Sequence, residues 1–346
     1  MIAIENSSLG NLCIHRVGNK SRQEGVLVAA GGVQVSPEIA SLLVSYFVTP
    51  FRSEEYFSLY HETDIGLNEV YAYASRIFDD PENLYEQSVN LAKHLYENSN
   101  HPNIKAGEFY VAYFKECILD GQTVDAVGLF KSENKDTFLK VFPSGDGFGV
   151  ESQQGVNINR LDKGCLIFDT EKGKGYTVAV VDNTNRTEAR YWFDEFLHVR
   201  QRRDEYFSTQ NALSLCKEYV EKQLPGEFEV SKADQAGLLN RSARYFKENE
   251  RFDMQAFSAE VLEQPEVIES FNQFRQSYEQ ERDEPLADGF AISEAAVKKQ
   301  SKAFRSVIKL DRNFHIYIHG DNRNLRKGFD EETGMNYYQL FFKEEL

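Results

Sequence analysis

Residues 108–130 read EFYVAYFKECILDGQTVDAVGLF, two apolar runs separated by the turn signal LDGQ. Three more apolar runs follow before residue 182, namely TFLKVF, GCLIF and YTVAVV, with turn-rich segments such as PSGDG and EKGKG between them. Short apolar runs with such breaks indicate β-strands. Because the connections are too short to hold crossover helices, neighbouring strands should pair antiparallel. This stretch therefore predicts a central antiparallel meander.

Helix-start signals precede the meander. Ser36-Pro37 combines an N-cap residue with proline at the first helical position, directly before IASLLVSYF. Asp80-Pro81-Glu82 repeats the signal, and apolar side chains between Leu84 and Leu95 recur along one helical face. The N-terminal part is therefore predicted to combine helices with the sheet.

Beyond residue 200 the chain is predicted to be mainly helical. The expected helices span 205–223, 231–249, 252–262, 265–281 and 292–306. Ser231 with Asp234 matches a capping box, and the chain closes with the strands FHIYIHG and MNYYQLFF, joined by a charged loop. We expect an α+β protein, an antiparallel β-sheet core with N-terminal helices and a largely helical C-terminal region ending in a β-hairpin. The expected domains are 1–200 and 201–346.

Composition narrows the class of protein. The longest apolar stretches are under ten residues, too short to cross a bilayer, and the start MIAIENSSLGN lacks the layout of a signal peptide. We therefore expect a cytoplasmic protein without membrane contact. Four widely separated cysteines, at positions 13, 117, 165 and 216, indicate reduced thiols rather than a zinc site or disulfides. No glycine-rich phosphate loop follows Gly31-Gly32, so no cofactor is predicted.

Charge is distributed unevenly along this acidic chain. The net charge of −16 argues against a protein that coats DNA, because binding to phosphates requires lysine and arginine. Residues 248–288 contain twelve acidic and three basic residues, a local net charge of −9. Residues 298–327 contain nine basic and two acidic residues, a local net charge of +7. The second segment is the candidate for binding nucleic acid.

Helical and strand spacing would bring the basic residues of this segment together. On a helix that continues to about residue 309, four cations share one stripe. The strand that follows directs His315, Tyr317 and His319 to one face. The predicted nucleic-acid-binding set is Lys298, Lys302, Arg305, Lys309, Tyr317, His319, Arg323, Arg326 and Lys327. In the alternative interpretation this is a solvated face that pairs with the acidic segment.

A metal-dependent nuclease is a further hypothesis. In the stretch VGLFKSENKDTFLKV (127–141), Glu133 and Lys135 form a Glu-x-Lys pattern, with Asp125 upstream as a second carboxylate. Such groups can hold a cation and polarise water when adjoining strands fix them. However, SENKD is polar throughout, which favours a solvated turn in a hairpin. Neither His315 with His319 nor His61-Glu62 with Asp64 completes a ligand set, so no metal site and no enzyme is predicted.

Several stretches together resemble the bacterial nucleoid-associated protein family of the NdpA type, in its Bacteroidetes-like form. They are IHRVGNK (14–20), HETDIGLNEVY (61–71), FKSENKDTFLKV (130–141), LDKGCLIF (161–168), VSKADQAGLLNRSARYFKENERFD (230–253) and NFHIYIHG (313–320). The resemblance implies a nucleoid location, DNA-related binding and contact with type II topoisomerases. It supplies no catalytic motif.

Two classes of function follow from these observations. The first is a nucleoid-associated binding protein that acts through a confined basic C-terminal patch or through a DNA-handling partner. The second is a protein-interaction adaptor, whose acidic helical region docks a basic topoisomerase-like enzyme. The expected location in both cases is the cytoplasm, at the nucleoid.

Overall fold

The segment 107–132 forms the centre of a large antiparallel sheet. A computed structural model describes residues 2–3, 8–184, 191–301, 304, 306–318 and 324–344, and the chain forms two units, 1–202 and 203–346. The strands of unit 1 are β1 (Ile2–Ala3), β2 (Ser8–Val17), β3 (Val26–Leu27), β4 (Phe57–Leu59), β5 (Gly107–Leu119), β6 (Gln122–Ser132), β7 (Asp136–Ser144), β8 (Gly147–Gly155), β9 (Lys163–Phe168), β10 (Thr177–Asp182) and β11 (Val199–Gln201).

The main sheet has the order β11-β4-β10-β9-β6-β5-β2-β3, and β1 also pairs with β5. All of its pairs are antiparallel. Asp120 and Gly121 connect β5 to β6 with φ values of 48° and 81°, the left-handed geometry of a two-residue hairpin turn. The meander is therefore confirmed, and it runs through β5, β6, β9 and β10.

Helices cover both faces of this sheet, because both faces are apolar. Phe109 and Val111 lie in one core cluster, whereas Tyr110 and Ala112 lie in a second cluster on the other face. The helices that supply the covering side chains are α1 (Pro37–Val48), α2 (Glu69–Asp79) and α3 (Leu84–Glu97). Helix α1 contributes to the second cluster, and α2 and α3 contribute to the first. Ser36 caps α1 as predicted.

The run TFLKVF does not join the meander. It lies in β7, which among the described strands pairs with β8 alone, in a separate two-stranded sheet. The connection from β6 to β7 is therefore not the hairpin turn that SENKD was expected to form. One face of β7–β8 leaves Leu139, Val141, Phe148 and Val150 between 62% and 78% exposed.

The charged side chains of Lys131 and Glu133, at the end of β6, are buried. The expectation that the charges of SENKD are solvated was therefore wrong for Glu133. The Lys131 side chain is fully buried, and its Nζ lies 3.0 Å from Glu133 Oε1. The Tyr191 hydroxyl donates to the same oxygen at 3.0 Å, and Asp162 Oδ2 accepts the backbone N–H of Glu133 at 2.7 Å. Burial lowers the pKa of Lys131, while Glu133 acts in the opposite direction. Burial, together with Glu133, raises the pKa of Tyr191.

Unit 2 begins as a helical assembly. Its helices are α4 (Glu205–Glu218), α5 (Leu224–Glu227), α6 (Lys232–Glu248), α7 (Met254–Phe257), α8 (Pro265–Arg282) and α9 (Glu294–Gln300), with π-helical turns at Tyr219–Gln223 and Ser258–Leu262. Its strands are β12 (Arg251–Asp253), β13 (Gly289–Ala291), β14 (Ser306–Leu310), β15 (Phe314–Ile318), β16 (Leu325–Asp330) and β17 (Met335–Leu340). The capping box of Ser231 and Asp234 is present.

Two helix boundaries and one strand pairing in unit 2 differ from the expectation. The helix expected at 252–262 is preceded by β12, which pairs with β13. The helix expected at 292–306 ends at Gln300. The two closing strands do not pair with each other, because β15 pairs with β14 and β17 pairs with β16. The α+β class, the helical C-terminal region and the final hairpin are confirmed. Among the described helices, none has both the length and the apolar character that a bilayer crossing requires.

We predict that Glu133→Gln destabilises unit 1. The substitution leaves the Lys131 ammonium buried without its carboxylate, and removing one partner of a buried pair costs about 3–5 kcal/mol. Urea denaturation, monitored by fluorescence, measures the free energy of unfolding.

Glu151→Gln is the matched control, because it breaks the exposed pair with Lys140 at 3.4 Å. Exposed pairs contribute about 0–1 kcal/mol, so this variant should be nearly as stable as the parent protein. Equal stability of the two variants would contradict the structural role of the buried pair.

Candidate nucleic-acid interface

The predicted basic helix stripe does not exist as a single helix. Lys298 lies on α9, which ends at Gln300, whereas Lys309 lies on β14. The segment SVIKL contains three apolar residues, and its pairing with β15 places Ile308 inside, with 3% of its surface exposed. The burial of Ile308 thus favours a strand here, although the cations are spaced as on a helix. Lys302 and Arg305 lie outside the described residues.

The β14–β15 hairpin has one covered face and one exposed face. Ile308 and its direct partner Ile316 lie on the covered face, and β14 runs beside α6. Lys309 and His315 are direct partners on the opposite face, and both are exposed. Tyr317 lies on this second face with 60% of its surface exposed. We call this set of Lys309, His315 and Tyr317 the β15 face.

The strand alternation expected for 313–320 is thus observed as far as the structure describes it. His319 lies outside the described residues, as does Arg323. Sequence reasoning named His315 on this face but left it out of the binding set. Its signal was the two-residue strand period, which places it beside Tyr317.

Arg326 and Lys327 lie on β16, rather than in the loop where they were expected. As neighbours on a strand they project from opposite faces of the β16–β17 hairpin. The Arg326 guanidinium lies 5.4 Å from the centre of the Phe341 ring, a cation–π contact. Both cations are exposed. The structure therefore offers them as two separate contact points rather than as one cluster.

Helix α6 is the common neighbour of the basic elements. Helix α9 and strands β14 and β16 each lie beside it, so the elements that carry Lys298, Lys309, Arg326 and Lys327 share one neighbour in unit 2. Asn240 on α6 donates from its side chain to the Ile318 carbonyl at 3.4 Å. This hydrogen bond connects the backbone of β15 to the helix.

Four exposed cations of the basic segment, Lys298, Lys309, Arg326 and Lys327, form no ion pair within the part of the chain that the structure describes. The alternative interpretation, in which this segment pairs with the acidic residues 248–288, therefore has no support among these four cations.

Two arginines within the acidic segment form ion pairs with carboxylates inside and outside it. Arg275 forms ion pairs with Glu279 and Asp288, both at 2.7 Å. Arg282 pairs with Glu218 at 2.8 Å. These contacts stabilise α8 and its surroundings without reaching the cations of residues 298–327.

The three residues of the nuclease hypothesis do not converge. Asp125 accepts the Tyr113 hydroxyl at 2.7 Å, whereas Glu133 is engaged by Lys131 and Lys135 pairs with Glu108. Asp125 and Glu133 are eight residues apart along an extended chain, about 27 Å at the rise of a strand. One cation cannot bridge that separation.

The histidine hypotheses also lack a metal-ligand set. His61 Nδ1 accepts the Thr63 backbone N–H at 3.3 Å, and Asp64 caps the short helix that follows it. Across the described residues, no group of three His, Cys, Asp or Glu side chains is arranged to hold a metal ion.

Comparison with known proteins places the chain in a family. The family model described as nucleoid-associated protein YejK matches residues 13–335, which include both units and the β15 face. The comparison with curated proteins returned no match. Family membership implies a bacterial protein with a DNA-related role, located in the cytoplasm at the nucleoid. The chain belongs to the nucleoid-associated protein YejK family.

Proposed function

We propose that the chain binds DNA directly, through the basic segment of unit 2. The β15 face carries this proposal, because it presents Lys309, His315 and Tyr317 to solvent while Ile308 on the other side of the same hairpin is buried. Lys298, Arg326 and Lys327 add exposed cations around α6. Lys302, Arg305, His319 and Arg323 complete the proposed binding set from outside the described residues.

The charge distribution limits how DNA can bind. Phosphates attract exposed cations, but the remainder of this chain is acidic and repels them. Binding should therefore be confined to residues 298–327, weak and strongly dependent on salt. Since the family is generally non-enzymatic, the proposed activity is binding rather than catalysis.

We predict that Lys309→Glu weakens binding to a duplex of about 20 base pairs. Loss of one phosphate contact should lower the salt slope by about one, and the new carboxylate adds repulsion, so we expect an affinity loss of about tenfold at low salt. Fluorescence anisotropy at several salt concentrations measures both quantities.

Lys93→Glu on α3 is the matched control, because Lys93 is exposed in unit 1 and the change in net charge is identical. An equal loss in both variants would show that net charge alone controls binding. If Lys309→Glu binds the duplex with unchanged affinity, the basic segment is ruled out as the binding site.

A second candidate function is an adaptor that docks a basic DNA-handling protein of the type II topoisomerase class. Its support is the surface of α8, where Glu266, Glu269 and Glu281 are exposed and form no ion pair among the described residues. Such a surface complements a basic partner and repels DNA.

We predict different behaviour for the two candidates when the tagged chain is used with topoisomerase in a pull-down. Recovery of the enzyme that survives nuclease treatment supports the adaptor, and it should then fall in the Glu266→Lys/Glu269→Lys variant. Loss of the enzyme after DNA digestion would instead show that DNA bridges the two proteins. Lys309→Glu serves as the variant that should leave direct docking unchanged.

A further inference from the structure

We infer that the β15 face binds single-stranded DNA by stacking one unpaired base between His315 and Tyr317, with a flanking phosphate at Lys309. This inference rests on the proposed function, because it specifies the form of DNA that the same segment recognises. The supporting observations are the spacing of the two rings, the position of the lysine and the exposure of the face.

Ring spacing is the first observation. His315 and Tyr317 are two residues apart on β15 and therefore project from the same face, about 6.6 Å apart along the strand. Stacked bases are separated by about 3.4 Å along one strand, so the gap between the two side chains is about two stacking distances. One base fits between the two rings, with one of its faces against each.

The position of Lys309 is the second observation. Its Cα is the direct cross-strand partner of His315, and such partners have Cβ atoms about 4.5–5.5 Å apart. The ammonium can therefore reach the phosphate of a nucleotide whose base lies against the His315 ring. Lys309 forms no ion pair among the described residues, so this contact would displace no internal partner.

Both faces of the hairpin expose an aromatic ring, and within residues 306–318 only the β15 face adds a lysine. Tyr317 is 60% exposed on the β15 face, and Phe314 is 65% exposed on the opposite side of the same strand. The covered side also carries Ile308, which is buried. Lysine beside two aromatic rings occurs only on the β15 face of this hairpin, as far as residues 306–318 show.

A duplex does not offer the ligand that this geometry requires. Paired bases are already stacked on both sides, and inserting side chains between them requires unstacking. An unpaired base has two free faces, and aromatic side chains bind single strands in this way with little regard to sequence. The β15 face therefore favours single-stranded DNA over a duplex of the same length.

Fluorescence anisotropy with the full chain tests the inference. The probes are a labelled 20-mer of oligothymidine, the same strand annealed to oligodeoxyadenosine, a 20-mer of abasic deoxyribose sites and a 20-mer of oligouridine. We expect oligothymidine to bind more tightly than the duplex and the abasic strand at equal salt. Tighter binding of oligouridine than of oligothymidine would assign the site to RNA and overturn the assignment to DNA.

Three variants test whether the Tyr317 ring stacks on the base. Tyr317→Ala should weaken oligothymidine binding about tenfold, whereas Tyr317→Phe should retain it because the ring remains. Phe314→Ala is the matched control, because it removes a ring of similar exposure from the other face, and it should bind as the parent protein does. Circular dichroism verifies that each variant is folded, and Tyr317→Phe keeps the test valid if Tyr317→Ala unfolds.

The results separate this inference from the proposed function. Duplex binding that depends on Lys309 but not on Tyr317, with no preference for single strands, would overturn the stacking site and leave the proposed function intact. Equal losses in Tyr317→Ala and Phe314→Ala would also overturn it. Failure of every DNA probe to bind at low salt would reject the proposed function itself.

Discussion

Burial of both faces of the β5–β6 pair is the constraint on which unit 1 depends. Because apolar side chains project from both sides of these strands, the sheet is stable only with a layer of helices over each face, and α1 lies on one side while α2 and α3 lie on the other. The same burial reaches the end of β6, where Lys131 and Glu133 are enclosed and must pair. A motif that resembles a nuclease site in sequence is thereby used for stability.

In unit 2, the alternation of side chains along the β14–β15 strands leaves one side of the hairpin exposed. The isoleucines of the β14–β15 hairpin lie on one side, where Ile308 is buried, while Lys309, His315 and Tyr317 face solvent on the other. In the proposed function, the exposed cations supply electrostatic attraction and the exposed Tyr317 ring supplies a stacking surface. A confined binding segment of this kind would reconcile a net charge of −16 with membership of a nucleoid-associated family.

Local signals explain which features were predictable from sequence. Three predicted features depend only on neighbouring residues, and the structure confirms each of them. They are the turn LDGQ, the cap at Ser36 and the capping box at Ser231. The burial of Glu133 was missed because its partners Asp162 and Tyr191 lie 29 and 58 residues away in the chain. Pairing over such distances leaves no local pattern.

The sequence of the basic segment is compatible with both a helix and a strand. Lys298, Lys302, Arg305 and Lys309 fit a helical stripe by spacing, yet the apolar residues of SVIKL fit a strand. The structure follows the apolar pattern, because burying Ile308 against the body of unit 2 outweighs the arrangement of solvated charges. Lys309 consequently lies across from His315 on a hairpin, an arrangement that helical spacing could not suggest.

Photo-crosslinking of an oligonucleotide that carries 5-iodouracil tests the central claim most directly, namely that nucleic acid lies on the β15 face. After irradiation and trypsin digestion, mass spectrometry identifies the modified peptide. We expect the adduct on the peptide 313–323, NFHIYIHGDNR, at His315 or Tyr317. Adducts confined to unit 1 or to α8, with peptide 313–323 recovered unmodified, would contradict the account.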